Sequence, residues 1–249
     1  MLAHLPRAML IDLDDTILSA YPNPGPLWRE VVSEFSPAFP GLEPATVTKA
    51  ILASAETFWD DPERHRTWRQ QMFPARREVV RLAFAEIAAS GGPVVPADVT
   101  HAVADRFSTL REERYAPFPG AVEALEQLRD HGVALALITN GAGETQRAKL
   151  QRFDLERHFH HIQIEGEHGF GKPEERSYRH ALAQLGAEPH EAWIVGDNLE
   201  WEVAAPQRIG MFAVWHDHAG TGLPDGSTVR PDRIIRALPE LLEPASPPS

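Results

Sequence analysis

Four short apolar runs, AMLIDL, VALALI, AWIVG and MFAVW, alternate along the chain with segments of helical periodicity. A run without polar alternation offers no face to water, so each reads as a strand covered on both sides, the condition of a parallel sheet. Between the first two runs, AVEALEQLRDHG puts Val122, Leu125 and Leu128 on one helical face and stops at Gly132, a natural helix terminator. Helices around TQRAKLQRF and RSYRHALAQLG, one starting near Glu200, and a short strand at HIQI continue the alternation, and DRIIRALPELLE closes it. Strands and helices in turn require an α/β fold built on a doubly wound parallel sheet.

The alternation is interrupted once. From about Pro26 to Arg114 no strand reads; PLWREVVSEFSPAF, PATVTKAILASAETFW, ARREVVRLAFAEIAAS and ADVTHAVADRFSTLREER are helical stretches, broken at PGLEP, DDPERHRTW and GGPVVP. Ile51, Leu52 and Ala55, and again Val80, Phe84 and Ile87, recur at helical spacing. The expected organisation is a Rossmann-like core from residues 1–19 and 116–249, with an all-helical unit of about four helices, residues 20–115, inserted after the first strand. The PASPPS tail is expected to be disordered.

A net charge of −12 argues against nucleic acid or an anionic membrane surface as the main partner. The absence of cysteine removes disulfides, thiolate chemistry and cysteine-ligated zinc. No apolar run approaches the roughly 18–20 residues of a membrane span, and MLAHLPRAMLIDLDD meets acids too early for a signal peptide, so the expected location is the cytoplasm. The same charge sets a difficulty: an anionic ligand must find local positive charge on a negative protein.

The first run drives straight into DLDDT. Asp12, Asp14 and Asp15 repel one another and raise each other's pKa unless something positive sits among them. Such a cluster is either a solvated acidic turn or a site for a divalent metal and a phosphate. In open parallel sheets ligands bind beyond the carboxyl ends of the strands. Asp12 ends the first strand, Thr139-Asn140-Gly141 ends VALALI, Asp197 ends AWIVG, and Lys172 lies in the GFGKP loop before a helix. Singly these read as a turn, a surface lysine and a helix cap. Together, from segments more than a hundred residues apart, they converge on one crevice.

DLDDT, TNG, GKP and GDNLEWEV match in order the four motifs of the haloacid dehalogenase superfamily, and the helical insertion resembles its C1 cap. Within it, ALITNGAGETQRAKLQRFDLERHF is similar to the branch containing N-acylneuraminate-9-phosphatases and pyrimidine 5′-nucleotidases. The resemblance implies a phosphatase in which Asp12 is the nucleophile and forms an aspartyl-phosphate, while Asp14 protonates the leaving oxygen and then activates water. It implies that Thr139 and Asn140 hold phosphoryl oxygens and that Lys172 neutralises both the nucleophile and the transferring group. Asp12, the Asp14 carbonyl and Asp197 would hold Mg²⁺, inverting the local field where a small phosphorylated substrate, such as a sugar phosphate or nucleotide, binds. Asp15 and Thr16 carry only structural hydrogen bonding in this reading.

Two positions depart from the pattern. Glu202 stands where a second aspartate is common and would reach the metal directly or through water. Pro206 lies where a helix should run, so that helix should kink or start late. His158, His160 and His161, and His216 and His218, lack the spacing and acid of a zinc helix and are not expected to bind metal. Trp28, Trp59, His65, Trp68, Arg69 and Arg76 could grip a substrate, although core packing of the tryptophans and solvation of the arginines is the simpler expectation. A phosphomutase, a dehalogenase or a non-catalytic phosphate-binding module are the alternatives. Asp14 disfavours the dehalogenase, and the intact set Asp12, Asp14, Lys172 and Asp197 disfavours the module.

Overall fold

The computed structural model describes residues 5–19 and 24–244. In chain order, β1 (Ala8–Ile11) leads through a tight turn to β2 (Leu18–Ser19). Helices α1 (Pro24–Phe35), α2 (Pro44–Trp59), α3 (Pro62–Trp68), α4 (Met72–Ala89) and α5 (Ala97–Glu113) follow. The chain returns through β3 (Ala116–Pro117), α6 (Ala121–Asp130), β4 (Ala134–Thr139), α7 (Gly143–Arg152), β5 (His161–Ile164) and α8 (Glu165–His168). It ends with α9 (Glu175–Leu185), β6 (Ala192–Gly196), a π-helical turn (Leu199–Ala204), α10 (Ala205–Gln207), β7 (Phe212–His216) and β8 (Arg233–Ile235).

Two compact units result, Met1–Ala20 with Ala116–Ser249, and Tyr21–Tyr115. In the first, six parallel strands run in the order β5-β4-β1-β6-β7-β8. All four residues of β1 are buried, which explains its unbroken apolar run at the centre of the sheet. The connection leaving β1 returns on the β4 side and that leaving β6 on the β7 side, so the order reverses between β1 and β6. That reversal opens a crevice beyond the carboxyl ends of these two strands.

The helical element after β4 and the terminator after α6 lie where the sequence puts them, with Gly132 at φ +83°. The buried face of α6 is Ala121, Ala124, Leu125 and Leu128, while Val122 is only half-buried. Strand β8 exceeds the five strands that sequence patterning gives. It pairs at the sheet edge through three residues, of which only Ile235 is buried, too short a signal to stand out.

The described residues of the second unit form five α-helices, one more than expected. Helix α3 occupies DDPERHRTW, read as a break because of its Asp-Asp-Pro start. Proline at the first helical position forfeits an N–H that has no partner anyway, and the Asp61 carboxylate accepts the N–H groups of Glu63 (2.9 Å) and Arg64 (3.1 Å). The core of this unit is built on Leu27, Val31, Ile51, Phe58, Val80, Phe84 and Val103. Trp28 stacks on Phe107 at 3.6 Å, and Trp59 and Trp68 pack edge-on against Phe58, as expected of core tryptophans. Arg76 departs from its expected solvated place: it is buried, its guanidinium 5.7 Å from the Phe107 ring centre. Arg69 is half-buried, and the His65 side chain and the tail beyond Pro244 lie outside the described residues. No helix among the described residues is long and apolar enough to cross a membrane.

Candidate active site

The turn after β1 does what a two-residue spacing of working acids needs. Ile17 and Leu18 N–H groups both donate to the Leu13 carbonyl at 2.9 Å, and Asp15 takes φ +58°, a left-handed conformation that aspartate tolerates. The chain therefore reverses within five residues, and the charge of Asp14 is felt by Asp12. Asp12 is buried at the strand end, its Oδ2 accepting the Thr16 hydroxyl (3.2 Å).

Lys172 crosses from the loop after α8 to place its ammonium 2.5 Å from Asp12 Oδ1 and 2.6 Å from Glu202 Oε1. It is 1 % exposed. Burial opposes its charge, but the two carboxylates outweigh burial and hold its pKa above the usual lysine range. The loop is fastened by Asn140, whose amide donates to the Lys172 carbonyl (2.7 Å) and accepts the Lys172 N–H (2.9 Å). Gly171 permits this approach, because a Cβ there would collide with Asn140 Oδ1. The Asn140 side chain is thereby committed to the lysine loop.

Glu202 is the residue whose part the sequence leaves most open. It sits in the π-helical turn after β6, accepts the Asn198 N–H (2.9 Å) and pairs with Lys172. Gly196 makes room for it, since a Cβ at that position would overlap the Glu202 side chain. Pro206 delays the helix as expected. A π-helical bond to the Trp201 carbonyl would need an N–H from residue 206, which proline lacks; the Tyr178 hydroxyl donates to that carbonyl instead, at 2.6 Å.

Two further residues escaped sequence reading because nothing near them marks a motif. On α7, Gln146 Nε2 donates to Asp14 Oδ2 (2.9 Å) and to the Thr139 hydroxyl (2.6 Å), and the Lys149 ammonium pairs with both Asp14 oxygens (2.7 and 2.8 Å). Their spacing of three puts both on one helical face, the only hint the sequence holds.

Asp197 is half-buried at the end of β6, with its carbonyl accepting the Trp215 indole N–H (2.7 Å). Burial first, then the charges of Glu202, Asp12 and Asp15, push its pKa up to about 9; burial pushes Glu202 up to about 7 against the pull of Lys172. With Asp14 matched by Lys149, the carboxylates of Asp12, Asp197 and Glu202 face the single ammonium of Lys172. Hard oxygen donors around two uncompensated negative charges fit a divalent cation, and such an ion would relieve the repulsion that raises these pKa values.

Of the two histidine sets doubted at the outset, His216 and His218 lie with their ring centres 5.6 Å apart. His160 Nδ1 accepts the Leu135 N–H (3.1 Å), whereas His216 has a carbonyl at each nitrogen, Asp15 at 2.9 Å and Arg236 at 3.3 Å.

The model of the haloacid dehalogenase-like hydrolases matches residues 6–210. A phosphoserine phosphatase of Thermus thermophilus is 38% identical over 169 residues, 68% of this chain and 64% of that one. An N-acylneuraminate-9-phosphatase of Rattus norvegicus, from the branch that ALITNGAGETQRAKLQRFDLERHF resembles, is 33% identical over 118 residues and 47% of each chain. The chain thus spans less than two thirds of either relative's length. The HAD-hydrolase YfnB of Bacillus subtilis, solved bound to magnesium, shares the fold with a TM-score of 0.69 at 22% identity, over 95% of this chain and 96% of that one. The family model spans the sheet from β1 through β6, and the protein belongs to the haloacid dehalogenase-like hydrolases.

Proposed function

We propose that this chain is a Mg²⁺-dependent phosphatase of small phosphorylated metabolites. The observation that carries the reading is the buried Lys172 ammonium 2.5 Å from the Asp12 carboxylate at the sheet's reversal point, beside an excess of oxygen donors. Asp12 attacks phosphorus and becomes the aspartyl-phosphate, while Asp14 gives a proton to the leaving oxygen. Asp14 then takes a proton from the water that hydrolyses the acyl-phosphate, which returns Asp12 as a carboxylate. Gln146 and Lys149 are positioning residues that hold the Asp14 carboxylate on its side of the turn. Lys172 faces charge developing on the transferring group, and the Thr139 hydroxyl with the backbone after β4 receives phosphoryl oxygens. The Asn140 side chain acts through the Lys172 loop.

Asp12, the Asp14 carbonyl and Asp197 would hold Mg²⁺, with Glu202 behind them through Lys172. When bound, the ion supplies charge neutralisation between the carboxylates and the phosphoryl oxygens. The helical unit, residues 21–115, is assigned the role of a cap that selects substrates. The names of the relatives support a substrate in the range of a phosphorylated amino acid or sugar acid.

Phosphate release from a panel of such compounds, with and without Mg²⁺, tests the reading. Asp12→Asn should release no phosphate above background while its circular dichroism matches wild type. Chelation should abolish turnover, and Mg²⁺ should restore it better than Ca²⁺, which takes more ligands at longer distances. Turnover by Asp12→Asn above a few per cent of wild type removes Asp12 as nucleophile.

A further inference from the structure

On the β5 edge of the sheet, three histidines meet that no motif joins. His161 opens β5, His168 closes α8, and His180 lies within α9. One ring nitrogen of each lies within 4.8 Å of the others, and the rings are 5.3 to 6.0 Å apart centre to centre. All three are half-buried and belong to the same compact unit.

The surroundings fix which nitrogens of His168 and His180 carry lone pairs. Gln163 Nε2 donates to the Ser177 carbonyl (3.0 Å) and hydroxyl (2.8 Å), and a carbonyl only accepts, so Gln163 Oε1 faces His180 as an acceptor. His180 Nδ1, 2.8 Å from that oxygen, must therefore donate, which leaves the lone pair on Nε2. His168 Nδ1 lies 3.1 Å from the Ile164 carbonyl and must donate as well, again leaving Nε2 as the acceptor. His161 Nε2 is buried without a hydrogen-bond partner. Imidazoles oriented through their second nitrogen by a carbonyl or amide oxygen are the arrangement found around bound metals.

We propose that His161, His168 and His180 form a second metal site, selective for Zn²⁺ and comparable borderline divalent ions, with a water completing the tetrahedron. Three nitrogens and no carboxylate make a donor set that Mg²⁺ avoids and zinc accepts. Ligand nitrogens 2.0–2.1 Å from zinc stand roughly 3.3 Å apart, so the rings close by about an ångström or more on binding. His168, in the last position of a four-residue helix followed by Gly169 at φ +72°, is the ligand placed to supply that adjustment. The site shares no residue with the carboxylate cluster and does not depend on the phosphatase reading.

The test is zinc binding to the full chain by calorimetry, with the zinc X-ray absorption spectrum of the wild-type protein as a second readout. With Mg²⁺ in excess to fill the carboxylates, one zinc should bind, its affinity falling at least tenfold in His168→Asn and in His180→Asn and staying within twofold of wild type in Asp197→Asn. The absorption spectrum should show a first shell with three imidazoles, a result that does not rely on any variant folding. An affinity lost in Asp197→Asn and kept in both histidine variants would place the ion at the carboxylates and overturn the proposal. So would a first shell dominated by carboxylate oxygen, or no binding at micromolar zinc.

Discussion

Lys172 can stay charged in the interior because two carboxylates share it, Asp12 at 2.5 Å and Glu202 at 2.6 Å. The three are not equivalent under mutation. Lys172→Met strands two buried carboxylates against each other, and breaking a buried pair in that way costs about 3–5 kcal/mol. Glu202→Gln keeps one ammonium facing one carboxylate and should cost distinctly less, so the two variants should separate in urea midpoints under chelation. Equal midpoints would mean that the ammonium does not bind the cluster together. A milder substitution probes Asp14. Lys149→Met removes its ammonium partner but leaves Gln146 in place, so kcat should fall about tenfold or more for every phosphorylated substrate while KM changes little. A change confined to KM would make Lys149 a substrate-binding group.

The π-helical turn Leu199–Ala204 shows what a single element can do for the site. It is capped by the Asn198 side chain, which accepts the N–H groups of Glu200 and Trp201, each at 3.0 Å. It is prevented from running on by Pro206 and held by Tyr178. Loss of such a cap costs about 1 kcal/mol, so Asn198→Ala should lower Tm by roughly 2–4 °C for a protein of this size. Because Glu202 rides on the same turn, kcat should fall in the same variant. A Tm shift without any kinetic change would show that Glu202 keeps its place without the cap. Helix α3 illustrates the same local economy: an aspartate that caps and a proline at the first position start a helix within a stretch whose composition reads as a loop.

Across the whole molecule the carboxylate cluster leaves a signature in the pH dependence of stability. A carboxyl group whose folded pKa lies above its unfolded value binds more protons in the native state, so its contribution is full at low pH and is lost as pH rises through the folded value. Asp197, raised from an ordinary 3.8 to about 9, is such a group. His158, His161 and His216 are shifted the other way by burial, so above about pH 8 they are neutral in both states and add no slope. Lys172, raised above the lysine range, stays protonated in both states over the same window. In chelator, stability should therefore fall between pH 8 and pH 9, by no more than about 1.4 kcal/mol per pH unit for one proton, and Tm should fall with it. Mg²⁺ should flatten that slope, since it favours the ionised carboxylates. A chelated protein with Tm constant or rising over this range would show that Asp197 is already ionised.

Periodicity alone was enough for five of the sheet's six strands and their order along the chain, because strands buried on both faces leave runs that nothing else in the chain imitates, whereas β8 buries a single residue. It was enough, too, for the four segments at the crevice, since each lies at a strand end or in the loop beyond one, where a parallel sheet must gather them. What it could not supply was the partner of each charge. Glu202 pairs with Lys172 across thirty residues, Lys149 with Asp14 across 135, and His161 meets a His180 that a glutamine oriented by Ser177 holds in place. Arg76 looks like a surface arginine until α4 is packed against α5 and Phe107 lies beneath it. Side-chain partners at such separations are chosen by rotamer and burial after the backbone has converged, and neither leaves a period in the sequence. The tertiary structure alone decided them.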